Sequence, residues 1–599
     1  MVALYDNPDL VAPAQTICTT HADGSIVLSS PEPLGPYARC IGEWVEQWAH
    51  ATPEALALAE RDSTGAWKRL NWGDLRRAVG AIAQSLLDLK LPRQQPVVVL
   101  SDNSIDHALL MLAAMHIGIP VCSVSSAYCR LTRNYSKVQG ILDALQPSLI
   151  YASDAKVYGP ALQACATPAI KVLSEGFGEL PGALSLRSLL DVVETPAVMA
   201  AFAGVTGDDH AKYLLTSGST GHPKVVINTH RMLCANQQTL AQTWRFLAKE
   251  KPILLDWLPW SHTFGGNHNL NLVLRNGGAL YIDEGRPAPG LIERTVRNLR
   301  DVRPNLHFNV PRGLDMLLPF LEADHALARD VFSRLLLVFY AAAALPASTW
   351  SRLERLAAQV REEPLWLTTS WGSTETSPLV TSAHYKLDSA GCIGLPLPGL
   401  ELKLVPNGEK QEMRVRGVSV FPGYRNAPEL TAAAFDEDGF YKIGDAGYLA
   451  DPAHPEYGVM FDGRVAEDFK LGTGTWVSVG TLRLKLVSAL SPYAADAVIT
   501  GHDRDEIGAL IFPGAACAQA EAGVVAQKIR EVLQAFRMEG GGSSQCPCRA
   551  MLLEEPPNAD AGEITDKGYV NQRAVLTRRA DEVALLYSAS PHARVILAP

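Results

Sequence analysis

Residues 213–228 read Tyr-Leu-Leu-Thr-Ser-Gly-Ser-Thr-Gly-His-Pro-Lys-Val-Val-Ile-Asn, small and hydroxyl-bearing residues held between two apolar runs. Such a loop can wrap an anion. Gly218 and Gly221 allow close backbone approach, main-chain N–H groups and the hydroxyls of Thr216, Ser217, Ser219 and Thr220 donate to its oxygens, and Lys224 adds positive charge. The glycine and lysine spacing does not make the G-x-x-x-x-G-K-[ST] pattern, so a Walker-type ATPase is disfavoured. A Gly/Ser turn between strands is the plain alternative, and the later residues must decide between the two.

Five further runs carry reactive side chains in chain order. Leu258-Pro-Trp-Ser-His-Thr-Phe-Gly-Gly266 places His262 in a loop after the apolar Ile253–Leu255. Trp371-Gly-Ser-Thr-Glu-Thr376 sets a hydroxyl and a carboxylate beside an aromatic ring, and one hard oxygen ligand beside a phosphate loop is chemically sufficient for magnesium. Tyr441-Lys-Ile-Gly-Asp-Ala-Gly447 and Phe461-Asp-Gly-Arg464 add Asp445 and Arg464, and Gly562-Glu-Ile-Thr-Asp-Lys-Gly-Tyr-Val-Asn-Gln-Arg573 adds Lys567. Taken singly, a loop histidine, a Gly-Asp or Gly-Arg turn and a surface lysine are all ordinary.

Together these runs resemble the motifs of the adenylate-forming superfamily, which includes acyl- and aryl-CoA synthetases, adenylation domains of nonribosomal peptide synthetases and firefly luciferase. The resemblance implies ATP, Mg2+ and coenzyme A as small-molecule partners. It implies that Thr216, Ser217, Gly218, Ser219, Thr220, Gly221 and Lys224 hold the β- and γ-phosphates, and that His262 lies beside the carboxylate of the acid. Trp371, followed by Gly372 and Ser373, would pack on adenine, Thr374 would contact the α-phosphate, Glu375 would help hold magnesium, and Asp445 and Arg464 would reach the ribose. Lys567 is the implied catalytic lysine, its ammonium neutralising charge that develops between the attacking carboxylate and the α-phosphate. Tyr340-Ala-Ala-Ala-Ala-Leu-Pro346 stands where many relatives have Gly-Gly or Gly-Ala over the adenine, which assigns Ala342 to the ATP site.

The same resemblance implies an α/β fold with a large multi-subdomain N-terminal part and a small mobile α+β C-terminal domain hinged just after Gly463-Arg464, where Ala466 replaces the Asp or Lys of many relatives. Residues 1–35 are mixed in composition and read as an extended arm, and the resemblance divides the rest into an AMP-binding domain over 36–463 and a mobile domain over 464–599. The runs Gly463–Ser478 and Gly562–Arg573, with Glu32-Pro-Leu, Trp48-Ala and Ala59-Glu-Arg-Asp, resemble feruloyl-CoA synthetases. The implied acid is then a hydroxycinnamate such as ferulate, coumarate or caffeate, in a mostly apolar pocket with Asn309, Tyr340 and Trp260 as candidate lining residues. A CoA ligase for fatty or benzoic acids, and a nucleotide-binding homologue without catalysis, remain open. A homodimer is a family-level expectation.

These side chains need a scaffold, and the composition supplies one. With 599 residues, 47% hydrophobic and 19% charged, the chain is too long for one compact core and reads as two or more globular domains. A net charge of −10 without a long basic run argues against a nucleic-acid surface, and ten scattered cysteines fit reduced thiols in a cytoplasm. The start lacks a basic segment followed by an apolar core, so no signal peptide is expected. The most apolar long stretch, 108–124, is interrupted by His116 and Pro120 and reads as a buried helix running into a strand rather than a membrane span. Helical runs at Trp72–Leu89 and Ser104–Ile117 alternate with β-rich runs at Pro96–Leu100 and Ser148–Tyr151, which is α/β patterning. Leu335–Tyr340 and Trp366–Thr369 read as buried strands that end in small or polar residues, where α/β folds bind ligands.

Overall fold

The computed structural model describes residues 3–130, 135–216, 223–408, 410–465, 467–473, 475–540, 542–558, 561–564 and 570–598. Within them the fold is α/β, a large N-terminal domain of layered sheets and helices followed by a small α+β C-terminal domain. Val97–Leu100, Val121–Val124 and Leu149–Asp154 run parallel in a seven-stranded sheet of the described residues. Val97, Val98, Val99 and Leu100 are all buried, as a strand covered on both faces requires. The helix Ile105–His116 starts where the Ser104 hydroxyl accepts from the His107 N–H. It leads through Gly118, at φ +77, into Val121–Val124, so the most apolar stretch is a buried helix feeding a buried strand. Among the described residues no helix is long and apolar enough to cross a membrane.

An eleven-stranded sheet of the described residues carries the second half of the large domain. Leu306–Asn309, Leu337–Tyr340 and Trp366–Gly372 lie parallel and in register, so Asn309, Tyr340 and Thr369 stand in one row near their carboxyl ends. The sheet continues antiparallel through Tyr441–Leu449 and Val459–Arg464. Its far edge comes from the N-terminal arm. Ile17–Thr20 and Ile26–Ser29 form a hairpin, and Ile26–Ser29 pairs with Leu400–Asn407 because Leu28 is fully buried there. The arm is therefore an edge of the sheet, more than the extended leader its mixed composition implies.

In the small domain Ala494–Thr500, Ile507–Pro513, Pro547–Leu552 and Val595–Leu597 make a four-stranded sheet. The helices Val479–Leu490 and Ala522–Met538 cover one face, and Gln572–Arg578 with Ala580–Leu586 cover the other. The two domains join at the end of Val459–Arg464, where the Val465 N–H donates to the Gly444 carbonyl at 3.0 Å. Across this join Lys410 donates to the Asp462 carbonyl at 2.6 Å and the Ser478 hydroxyl at 3.0 Å and ion-pairs with Asp468.

Glu563 anchors the turn that precedes residues 565–569. Its side chain is 0% exposed and accepts from Arg579 at 2.7 and 2.9 Å and from Arg578 at 2.9 Å. Burial is the largest single influence and would raise this carboxyl's pKa, but the Arg579 hydrogen bonds, the Asn558 N–H and the charges of Arg579 and Arg578 together outweigh it and hold it below the usual range. Glu563→Gln leaves Arg579 buried without its counter-charge and is expected to destabilise the small domain by on the order of 3 kcal/mol in thermal melts. In the wild type the same support is present above the ordinary carboxylate pKa and is lost as pH falls through the depressed folded value.

Candidate active site

The run 213–228 includes the facing ends of two paired strands. His210–Thr216 and Lys224–Thr229 pair antiparallel with Thr216 opposite Lys224, so these two residues form the base of the connection. Ser217, Gly218, Ser219, Thr220 and Gly221 lie outside the described residues, as do Ala466 and Lys567. The Lys224 ammonium stands 5.1 Å from the centre of the Tyr424 ring, and the Tyr424 hydroxyl donates to Glu375 Oε1 at 3.1 Å. The base of the loop and the candidate metal carboxylate are thus joined through one tyrosine. The Arg425 N–H donates to the Val225 carbonyl at 2.9 Å, which lays Gly423–Arg425 along the free side of the hairpin.

Thr374–Thr376 forms a single tight turn, with the Ser373 N–H donating to Thr376 Oγ1 at 2.8 Å. Gly372 must be glycine, because a Cβ there would lie 1.7 Å from the Pro378 carbonyl oxygen. The turn is fixed to the hairpin by Asn228, whose Nδ2 donates to the Thr374 carbonyl at 3.1 Å, and by the Phe421 N–H, which donates to the Glu375 carbonyl at 2.8 Å. Glu375 is buried, and among the described residues no set of three or more His, Cys, Asp or Glu side chains could hold a metal. One buried carboxylate, linked to Lys224 through Tyr424, fits a magnesium ion that takes its remaining oxygens from phosphates and water.

His262 sits on a tightly pinned loop. Asp256, at the end of the strand Ile253–Asp256, accepts from the Leu258 N–H at 3.0 Å and from Asn269 Nδ2 at 2.9 Å, and burial pushes its pKa up to about 7. Asn103 grips the same turn twice, donating to the Leu258 carbonyl and accepting from the Trp260 N–H, both at 2.9 Å. After His262 the chain forms a π-helical turn over Phe264–Asn269, a geometry frequent at functional sites. Gly265 permits it, since a Cβ would meet the Leu258 carbonyl oxygen at 2.3 Å. Asn267 joins this turn to the hairpin, donating to Thr263 Oγ1 at 3.2 Å and to Asn228 Oδ1 at 2.7 Å.

Trp371 and Asp445 form the third part. The Trp371 indole N–H donates to Asp445 Oδ2 at 2.8 Å, and Arg464 Nε pairs with Asp445 Oδ1 at 3.0 Å from the directly opposite strand position. Burial raises the Asp445 pKa and Glu375 adds to the rise, while Arg464 and the indole oppose it. Trp371 is buried with its N–H committed to the carboxylate. Ala342 is held at φ +75, a left-handed conformation that an alanine adopts only under strain.

The acid side differs from the expectation drawn from sequence. Successive residues of a strand face opposite ways, and the ring that Leu337–Tyr340 turns toward the helix after His262 belongs to Phe339, 5.6 Å from Phe264 and 5.2 Å from Phe308. Tyr340 faces the other side of the sheet and packs edge-on against Trp350 at 6.1 Å. Trp260 is core, edge-on to His107 at 5.0 Å, and it is Trp257 whose indole donates to Asn309 Oδ1, at 3.2 Å. Sequence reasoning also missed Tyr424, Asn228, Asn267 and Lys212. Lys212 alone left a signal, an ionisable residue inside the apolar strand Ala211-Lys-Tyr-Leu-Leu215.

A phosphate-type hairpin, a carboxylate turn and a paired aspartate, all carried on this two-domain α/β scaffold, define an adenylate-forming architecture. Residues 45–425 match the family model of AMP-binding enzymes and residues 473–591 that of the AMP-binding enzyme C-terminal domain, and the chain belongs to this family. It is 25% identical over 335 residues to a probable CoA ligase of Humulus lupulus, covering 52% of each chain. It is 28% identical over 352 residues to a long-chain-fatty-acid–CoA ligase of Salmonella typhimurium, covering 54% of this chain and 60% of that one. The chain spans about half the length of these curated relatives. Among solved structures it resembles the A domain of carboxylic acid reductase from Segniliparus rugosus in complex with AMP and a co-purified carboxylic acid, at 20% identity, TM-score 0.72 and coverage of 92% and 94%. It also resembles an anthranilate CoA ligase in complex with anthranoyl-AMP, at 18% identity, TM-score 0.71 and coverage of 92% and 99%.

Two substitutions test this geometry. Ala342→Gly relieves the left-handed strain and is expected to raise stability by about 0.5–1 kcal/mol in denaturant unfolding. Trp371→Phe removes the indole donor from Asp445 and is expected to weaken AMP binding by calorimetry about fivefold, about 1 kcal/mol, with little change in melting temperature.

Proposed function

We propose that this protein is an AMP-forming acid–thiol ligase that activates a hydroxycinnamic acid such as ferulate, coumarate or caffeate and transfers it to coenzyme A. The observation that carries the reading is the Lys224–Tyr424–Glu375 chain set beside the Trp371–Asp445–Arg464 group, one suited to phosphates and the other to a ribose. The choice of a hydroxycinnamate rests on the resemblance of Gly463–Ser478 and Gly562–Arg573 to feruloyl-CoA synthetases. Membership of the AMP-binding family and the names of the relatives support the reaction class.

In the first step a carboxylate oxygen attacks the α-phosphorus of ATP, the bond to the bridging oxygen breaks, and acyl-adenylate and pyrophosphate result. In the second the coenzyme A thiolate attacks the acyl carbon and AMP leaves. Lys224 and the hairpin loop hold the β- and γ-phosphates, Thr374 orients the α-phosphate, and Asp445 with Arg464 fixes the ribose. Magnesium held by Glu375 would neutralise phosphate charge. His262 orients the carboxylate, and Lys567 neutralises the charge that builds between the two reactants. The small domain turns between the steps about the junction after Arg464, withdrawing Lys567.

Purified protein with Mg-ATP, ferulate and coenzyme A is expected to yield feruloyl-CoA and AMP by mass, in preference to the products of palmitate or benzoate run in parallel. Thioester from another acid would keep the reaction and change the substrate. No AMP from any acid would favour a nucleotide-binding homologue. Lys567→Ala is expected to lower adenylate formation by two or more orders of magnitude while thioester formation from supplied acyl-adenylate persists; equal loss of both steps would sink its assigned role.

A further inference from the structure

Lys212 lies on the strand His210–Thr216, second from the edge of the seven-stranded sheet, where it stands opposite Val121. It is 4% exposed, and among the described residues no carboxylate forms an ion pair with it. Its ammonium donates to the Gly266 carbonyl at 2.8 Å and reaches Asn267 Oδ1 at 3.4 Å, both in the π-helical turn that follows His262. Asn267 in turn donates to Asn228, and Asn228 to the Thr374 carbonyl, at 2.7 and 3.1 Å. Lys212, Asn228 and Asn267 are all buried, so this relay runs inside the protein from the acid loop to the turn that carries Glu375.

A buried, uncompensated ammonium is a poor element of a core. An apolar side chain of similar length would fill the same space without desolvating a charge. A structure that retains the charge is using it. Given the acid-activating reading above, on which this inference rests for its catalytic meaning, we propose that Lys212 is a positioning residue that fixes the His262 loop and, through Asn267 and Asn228, the Thr374–Glu375 turn in one mutual geometry. The π-turn bends its carbonyls out of ordinary helical pairing, and the ammonium supplies a charge-assisted donor to the Gly266 carbonyl there. The two loops come from different sheets and have no shared backbone ladder, so a side-chain relay is what can set their spacing.

The surroundings also make the relay sensitive to pH. Burial pushes the Lys212 pKa down to about 7. The titratable groups that couple to it electrostatically are His107, from the helix Ile105–His116, and His230, at the start of the helix after the hairpin. Burial holds their pKa values at about 4 and about 3, so both are neutral where Lys212 titrates. The charge-assisted bond is present below about 7 and weakens as pH rises through it.

The test uses the full chain with Lys212→Met and Asn228→Ala. Hydrogen exchange read by mass spectrometry reports the two loops whatever the substrate. Lys212→Met is expected to speed exchange in both 262–269 and 373–378 while the melting temperature holds or rises, and Asn228→Ala to loosen 373–378 with little effect on 262–269. With the acid that the wild type activates, kcat/KM for Lys212→Met is expected to fall about tenfold to a hundredfold, and the limb near pH 7 of the wild-type profile to vanish. Exchange unchanged in both loops, or raised uniformly over the chain with a lower melting temperature, would overturn the proposal. A wild type that activates no acid would overturn the ligase reading, while the exchange data would still decide the role of Lys212.

Discussion

An edge strand that cannot be left bare organises this molecule. Lys224–Thr229 is the last strand of the seven-stranded sheet, and its outer backbone groups need partners. They find them in Gly423–Arg425, through the bridge between Val226 and Tyr424 and the hydrogen bond from Arg425 to Val225. Asn228 of the same strand takes up the Thr374 carbonyl. One satisfied edge therefore joins the sheet that bears the anion-type loop to the part of the chain that bears the carboxylate turn. Tyr424 is brought under Lys224 by that pairing, so the contact between lysine, tyrosine and Glu375 follows from backbone hydrogen bonding.

The second organising feature is amide chemistry in a dry interior. Asn103, Asn228, Asn267 and Asn269 each bond in two directions or to a buried carboxylate, and they connect loops that share no ladder. Amides suit this place because each offers both donor and acceptor at no charge, so burial costs little once both ends are matched. Asp256 is the anchor for one side of the His262 loop and Lys212 for the other, with the asparagines between them.

Much of this was legible in the sequence, and the reasons differ by residue. Glycines and reactive side chains at fixed spacing survive as text, since Gly372 and Gly265 occupy places no Cβ can enter. Strand and helix positions such as Val97–Leu100 and Ile105–His116 followed from the pattern of hydrophobic runs. What could not be read was facing. Tyr340 and Phe339 are neighbours of equal plausibility in the text, and only the strand's register against Asn309 and Thr369 decides which of them meets Phe264. Tyr424, Asn228 and Asn267 were invisible for a related reason, because their partners lie far away along the chain. The hairpin of the arm escaped notice because four-residue strands carry too little alternation to stand out.

The join at Lys410 has a mechanical meaning. One ammonium holds the Asp462 carbonyl, the Ser478 hydroxyl and the Asp468 carboxylate across the meeting point of the two domains. A seam of this kind behaves as a magnetic latch and unlike a glued face. Opening it releases polar groups that water can take over one by one. Such a contact can re-form after it opens, and because the Lys410 and Asp468 side chains are 17% and 4% exposed it keeps much of its attraction in the presence of dissolved ions.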